Sequence, residues 1–255
     1  MKTLFLAWRD PRSRAWFPVG RLTYDGDTYQ FVYTKGAQEA QQQAGFQPLR
    51  TFPKMDEVYR SDSLFPLFSN RLLSHSRPDY EEFVRWLNVP RSEDDPIALL
   101  ARSGGRRVTD ELEVFPTPEQ DDSGSYHIHF FSHGLRHLPP ASVEHIKRLQ
   151  PGDRLLLLSD FQNPRDPMAL ALRTDDPEPF LVGYCPRYLL DDTFDVLQND
   201  PGSVRVAVER VNLPPAPLQL RLLCNLSARW PRAFVPCSSD KYQPINTEVE
   251  TRLAI

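Results

Sequence analysis

The apolar positions of this chain fall into short runs, many of them alternating. "LFLAW" at Leu4–Trp8 reads as a short strand, and "RDPRSR" after it as a turn. "WFPVGRLTY" and "TYQFVYT" flank Asp25-Gly26-Asp27, with Tyr29, Phe31 and Tyr33 on one face. An Asp-Gly step between two such runs predicts a hairpin, because glycine tolerates positive φ. "AQEAQQQAG" predicts a short polar helix stopped by Gly45. "SLFPLFSNRLL", dense in apolar residues and broken by Pro66, predicts a buried turn or short helix. Two clearer helices follow. "RPDYEEFVRWLNVP" offers Asp79 as a cap and Phe83, Trp86 and Leu87 as one apolar face; "DDPIALLARSGG" offers Asp95 as a cap, Pro96 in the first turn and Gly104-Gly105 as the stop.

In "RRVTDELEVFPTPEQDDSGS" the pattern shifts to charge, Pro, Ser and Gly, although "LEVFP" keeps strand character. A boundary belongs here. Further on, strands are predicted over 126–132, 154–159, 169–174, 180–185 and 204–211, and short helices over 142–149, 187–197 and 218–226. The expected fold class is α+β. A small β-rich N-terminal domain with helices (1–105) and a linker (106–123) precede a second domain of short strands, barrel or sandwich (124–232). A tail (233–255) is expected to be partly disordered or to wrap the second domain.

Composition narrows the function. Of 255 residues 25 are proline and 11 glycine, which favours short elements and rigid turns. The net charge of −4 excludes a large phosphate footprint, so any nucleic-acid contact must be small and local. Three scattered cysteines without a C-x-x-C fit a reducing, cytoplasmic location better than a disulfide framework. The apolar run near the N-terminus is too short for a signal peptide, and no stretch approaches the roughly 18 apolar residues of a membrane helix.

Four of the six histidines crowd into "YHIHFFSHGLRH". His127 and His129 share the polar face of a predicted strand, where solvated imidazoles are a better reading than zinc ligands, since no cysteine lies nearby. No nucleophile elbow or phosphate loop is present, and the paired aspartates sit at turns and helix starts, where capping accounts for them. No cofactor, metal or catalytic role is expected.

Three ordered motifs carry a resemblance. Gly134-Leu135-Arg136-His137, then "LLLLSDFQNPRDPMALAL" with Asn163, Pro164, Asp166 and Ala169, then "FLVGYCPRYLL" with Gly183, Tyr184, Pro186 and Leu189, together resemble the HIRAN domain. The resemblance implies an OB-like β-barrel that captures free 3′ ends of single-stranded DNA. Carried over by position, Arg136 and His137 would contact backbone and stack on a base. Asp166 would accept the bond of the terminal 3′-hydroxyl, and Tyr184 and Arg187 would reach a phosphate. Arg165 stands where the family has a tyrosine, and its guanidinium would stack instead. Met168 and His137 also depart from the family pattern. Read without the resemblance, Asn163–Pro167 is a rigid turn with Asp166 bonding its own backbone, and Gly183, Tyr184 and Pro186 are strand-end packing.

The first half is similar, over shorter motifs, to the N-terminal subdomain of HipA-type toxin kinases, through Val19, Gly20, Leu22, Phe31, Tyr33, Phe68, Asn70, Leu72 and Leu73. The kinase's catalytic segments do not follow. The expected function is therefore a non-enzymatic adaptor: one module for single-stranded DNA or RNA 3′ ends, and one for a protein such as a HipA-like kinase. The alternative is an antitoxin-like regulatory protein without nucleic-acid binding.

Overall fold

The computed structural model describes residues 2–90, 92 and 94–246. In chain order the elements are β1 (Lys2–Arg9), β2 (Trp16–Tyr24), β3 (Tyr29–Tyr33), α1 (Lys35–Ala44), β4 (Tyr59–Ser61), α2 (Pro66–Ser69), α3 (Tyr80–Leu87), α4 (Pro96–Ser103) and β5 (Leu112–Pro116). They continue with β6 (Glu119–Gln120), β7 (Ser125–Phe131), α5 (Pro140–Ile146), β8 (Arg154–Ser159), β9 (Leu170–Thr174), β10 (Leu181–Tyr184), α6 (Leu190–Asn199), β11 (Arg205–Val211) and β12 (Leu222–Arg229). The chain is α+β, and it divides into two units. One takes the described residues within Met1–Tyr80, Val89–Thr117 and Cys237–Ile255; the other takes Glu81–Asn88 and Pro118–Pro236.

The first unit is built on an antiparallel sheet ordered β4-β3-β2-β1-β5. The Asp-Gly hairpin forms where expected. Asp25 Oδ1 accepts from the Asp27 and Thr28 amides at 3.0 and 2.8 Å, and Gly26 takes φ +118°. On one face Phe31 stacks on Phe52 at 3.9 Å, and Phe65 meets Phe52 edge-on. The buried Tyr33 hydroxyl donates to Phe52 O and accepts from Leu49 N, both at 2.7 Å; burial pushes its pKa up to about 12. Helix α4 is capped as its sequence predicts, Asp95 taking the Ile97 and Ala98 amides and Gly104 turning left-handed at φ +71°. Asp79 is engaged otherwise: both its oxygens take Arg77. The segment "LEVFP" is β5, an edge strand of this sheet rather than linker. From Cys237 on, the described part of the expected tail also belongs here, whereas its first residues, 233–236, stay with the second unit. Tyr242 is buried edge-on to Phe5 at 5.1 Å, and Ile245 N donates to Tyr33 O at 2.9 Å. The rest of that tail, 247–255, lies outside the described residues.

The second unit holds an antiparallel sheet ordered β10-β9-β8-β11-β12-β7-β6. Just past β7, His133 bridges Tyr184 of β10 through two backbone bonds of 2.9 and 3.0 Å. This joins the ends of the run β10 to β7, so the expected OB-like barrel takes the form of a sheet drawn round on itself by one bridge, without a continuous closing ladder. Helix α3 docks on β11 within this unit: Asn212 Nδ2 donates to Trp86 O at 2.9 Å, and Asn88 Nδ2 to Glu209 Oε1 at 2.7 Å.

The helix expected over 218–226 is a correction. Only Leu218–Leu220 forms a 3-10 turn, and from Leu222 the chain is β12, the strand between β11 and β7. Leu222-Leu223-Cys224 is a continuous apolar run, and such a run carries no periodicity to separate helix from a strand covered on both faces. Tertiary pairing decides it: Leu222, Leu223 and Cys224 are all fully buried.

Candidate nucleic-acid interface

The expected site residues lie on three neighbouring pieces of the second unit: the turn after β7, the β8–β9 loop, and the start of the segment after β10. The loop is tied at its base by Asp160 N donating to Ala169 O at 2.9 Å. Within it, Asn163 N donates to Asp160 O at 3.0 Å and Asn163 Nδ2 to Asp160 Oδ2 at 2.9 Å. The Asn163 side-chain oxygen then accepts the amides of Arg165 and Asp166, at 3.0 and 3.2 Å. Asp166 Oδ1 takes Met168 N at 3.0 Å, and Ala169 N closes on Asp166 O at 3.0 Å. The rigid turn read from "NPRDP" is therefore present. Asn163 and Asp166 act as Asx turns in series, fixing a loop that has no regular ladder of its own.

Asp166 has a second partner. Its Oδ2 lies 3.0 Å from Arg187 Nε, with the two side chains 24% and 33% exposed; Arg187 Nη1 is also 3.7 Å from Asp191. The carboxylate is thus oriented by its own turn and by a guanidinium, yet still open to solvent on one side. Tyr184, to which a phosphate contact was carried over, is bonded to the loop. Its hydroxyl donates to Asp160 Oδ2 at 3.1 Å, and its pKa is raised by burial and by that carboxylate. Tyr184 thereby ties β10 to the loop's first residue.

Arg136 and His137 stand on a 3-10 turn, Leu135–His137, entered through Gly134 at φ +79°. Leu135 is buried and anchors the turn; Arg136 and His137 are exposed, and Arg136 Nε donates to His137 Nε2 at 3.0 Å. A β-carbon at Gly134 would sit 3.2 Å from the Tyr184 ring, so this turn packs directly on the residue that holds the loop. Asp166, Arg187, Tyr184 and the backbone of Arg165 are connected through Asp160 and Asn163. Arg136 and His137 pair with each other on the adjoining turn. Sequence reasoning missed Asp160 and Asp191. The Asp-x-x-Asn spacing at 160 and 163 was the available signal for the first, and the i,i+4 spacing of Arg187 and Asp191 for the second.

The histidines of β7 are occupied separately. His127 meets Asp121 at 2.9 Å and His129 meets Glu209 at 3.8 Å. Among the described residues no three His, Cys, Asp or Glu side chains gather as a metal site, and no helix is long and apolar enough to cross a membrane.

An antiparallel sheet drawn round by one bridge and carrying a partly exposed carboxylate and guanidinium loop defines a small β-rich module. Residues 125–231, within the C-terminal half of the chain, match the family model of the HIRAN domain. This domain is associated with nucleic-acid binding. A solved structural-genomics protein from Lactobacillus plantarum is 20% identical over 41% of this chain and 97% of its own, at a TM-score of 0.32. No curated protein matches the chain.

Proposed function

We propose that the HIRAN domain of this chain binds the free 3′-hydroxyl end of a single strand of DNA and performs no chemistry on it. The observation that supports this reading is the Asp166–Arg187 pair on the tied loop. The carboxylate has one oxygen fixed by backbone and the other shared with a guanidinium, at partial exposure. Such a group accepts a bond from a terminal hydroxyl and repels a terminal phosphate. Arg187 beside it supplies charge for the phosphate linking the last nucleotides, and Arg136 and Arg165 add two exposed cations. A footprint of that size is compatible with the acidic chain.

Anisotropy titrations with single-stranded oligonucleotides ending in 3′-hydroxyl or 3′-phosphate test it. The wild type is expected to prefer the hydroxyl about tenfold or more, the worth of one charge-assisted hydrogen bond. Asp166→Ala is expected to abolish the preference and, by freeing Arg187, to improve binding of the phosphate form. Equal binding of both ends by the wild type, weak and lost with salt, would count decisively against end recognition. The first unit, which resembles the HipA-type N-terminal subdomain, is assigned the protein-binding role of the adaptor. A chain that binds no oligonucleotide yet forms a micromolar complex with a HipA-type kinase would transfer the function to that unit.

A further inference from the structure

The large apolar side chains that the fold leaves exposed include Leu158 near the end of β8 and Phe161 and Met168 in the β8–β9 loop. Phe161 is 77% exposed, and among the described residues it has no ring partner. It occupies the second position of the turn Asp160–Asn163, whose closing bonds are those between Asn163 and Asp160. Asp160 is itself held by Ala169 and by the Tyr184 hydroxyl. An aromatic ring is thus displayed to water on a backbone that does not need to reorganise. Folding gains nothing from it there.

We infer that Phe161 is a base-stacking platform for a nucleobase near the bound end, with exposed Leu158 and Met168 at the two ends of the same loop. This rests on the reading of the domain as a 3′-end binder. One exposed ring matches the face of one or two bases and falls far short of the roughly 800 Å² per partner of a stable protein interface. Charge agrees: exposed Arg165 lies four residues along the same tied loop, and Arg187 pairs with Asp166 at its far side, so cations flank the apolar surface as a phosphodiester chain requires. A preset ring also binds without the entropy of ordering a loop. Stacking needs only a π-face, so the platform holds a base without choosing among them.

The test uses the full chain, as wild type, Phe161→Ala and Phe161→Trp, with a short single-stranded oligonucleotide ending in 3′-hydroxyl. Further oligonucleotides carry an abasic residue at each of the last three positions in turn. Phe161→Ala is expected to weaken binding of the intact strand about tenfold, within the range for one lost stack, while the preference for hydroxyl over phosphate persists. Phe161→Trp is expected to bind as well as wild type or better. At one position the abasic residue should weaken the wild type by that same factor and leave Phe161→Ala unaffected. Wild-type affinity for every strand in Phe161→Ala would overturn the platform and leave end recognition standing. Sensitivity to Phe161 without any preference between the two ends would remove end recognition and keep the stack. A wild type that binds no strand at all would overturn both.

Discussion

Gly183→Ala is expected to destabilise the second unit by about 2–5 kcal/mol and to abolish the proposed oligonucleotide binding at ordinary temperature, because two penalties coincide there. Gly183 sits at φ +120°, where an L side chain costs about 1–2 kcal/mol or more. Its added β-carbon would lie 1.9 Å from Ser132 Oγ and 2.7 Å from His133 O. Overpacking of that kind costs a further ~1–3 kcal/mol. Neither neighbour has room to yield: the buried Ser132 hydroxyl donates to Val182 O at 2.8 Å, and the His133 oxygen accepts Tyr184 N in the ring-closing bridge. Release of that bridge frees the Leu135–His137 turn and Tyr184 together, and with Tyr184 the anchor of Asp160. The check is thermal unfolding with oligonucleotide binding. A fall of roughly 10 °C or more is expected for a domain of this size. The double variant with Ser132→Ala is expected to recover only part of it, since the His133 contact and the backbone strain remain. Wild-type stability in the single variant would mean that the bridge does not hold the site.

What could be read from the sequence was what depends on near neighbours. Asp95, Pro96 and Gly104 announce α4 because capping bonds reach only two or three residues. Asp25-Gly26 announces its hairpin for the same reason. The alternation of Tyr126, Ile128 and Phe130 against His127 and His129 marks β7, and its buried and half-exposed faces follow suit. Long-range pairing was not legible. Leu222–Leu226 carries apolar residues on both faces and became a strand only by lying between β11 and β7. The Cys237–Asn246 stretch, rich in polar residues, gave no sign that Tyr242 would enter the first unit beside Phe5. The site divides in the same way. Asn163 and Asp166 could be placed on a turn from their own spacing. The pairing of Asp166 with Arg187, the tie from Tyr184 to Asp160 and the display of Phe161 exist only once β8, β9 and β10 are in register.

Gly36→Ala carries the second large effect, with a sign opposite to that of ordinary helix chemistry. Gly36 lies in the first turn of α1 with no positive φ, and alanine in an open helix would gain about 1 kcal/mol. Here the new β-carbon would stand 2.2 Å from Pro18 O and 2.9 Å from Lys241 O. Both are backbone atoms, so no rotamer change relieves them. Pro18 O is fixed as the acceptor of the buried Thr34 hydroxyl, and the C-terminal segment is fixed by Lys35 N to Gln243 O at 2.8 Å and by Ile245 N to Tyr33 O. The missing β-carbon is what lets α1, β2 and the C-terminal segment meet. The substitution is expected to cost about 1–3 kcal/mol net of any helix gain, and the weaker partner gives way first. The segment around Lys241 should peel off and become a fast tryptic site, with Tyr242 exposed in fluorescence. Oligonucleotide affinity and the response to Asp166→Ala should stay as in wild type, because every candidate contact residue belongs to the other unit. Intact Lys241 under trypsin, with unchanged melting, would show that the helix can shift to admit the methyl group and that the close approach is not what seats the segment.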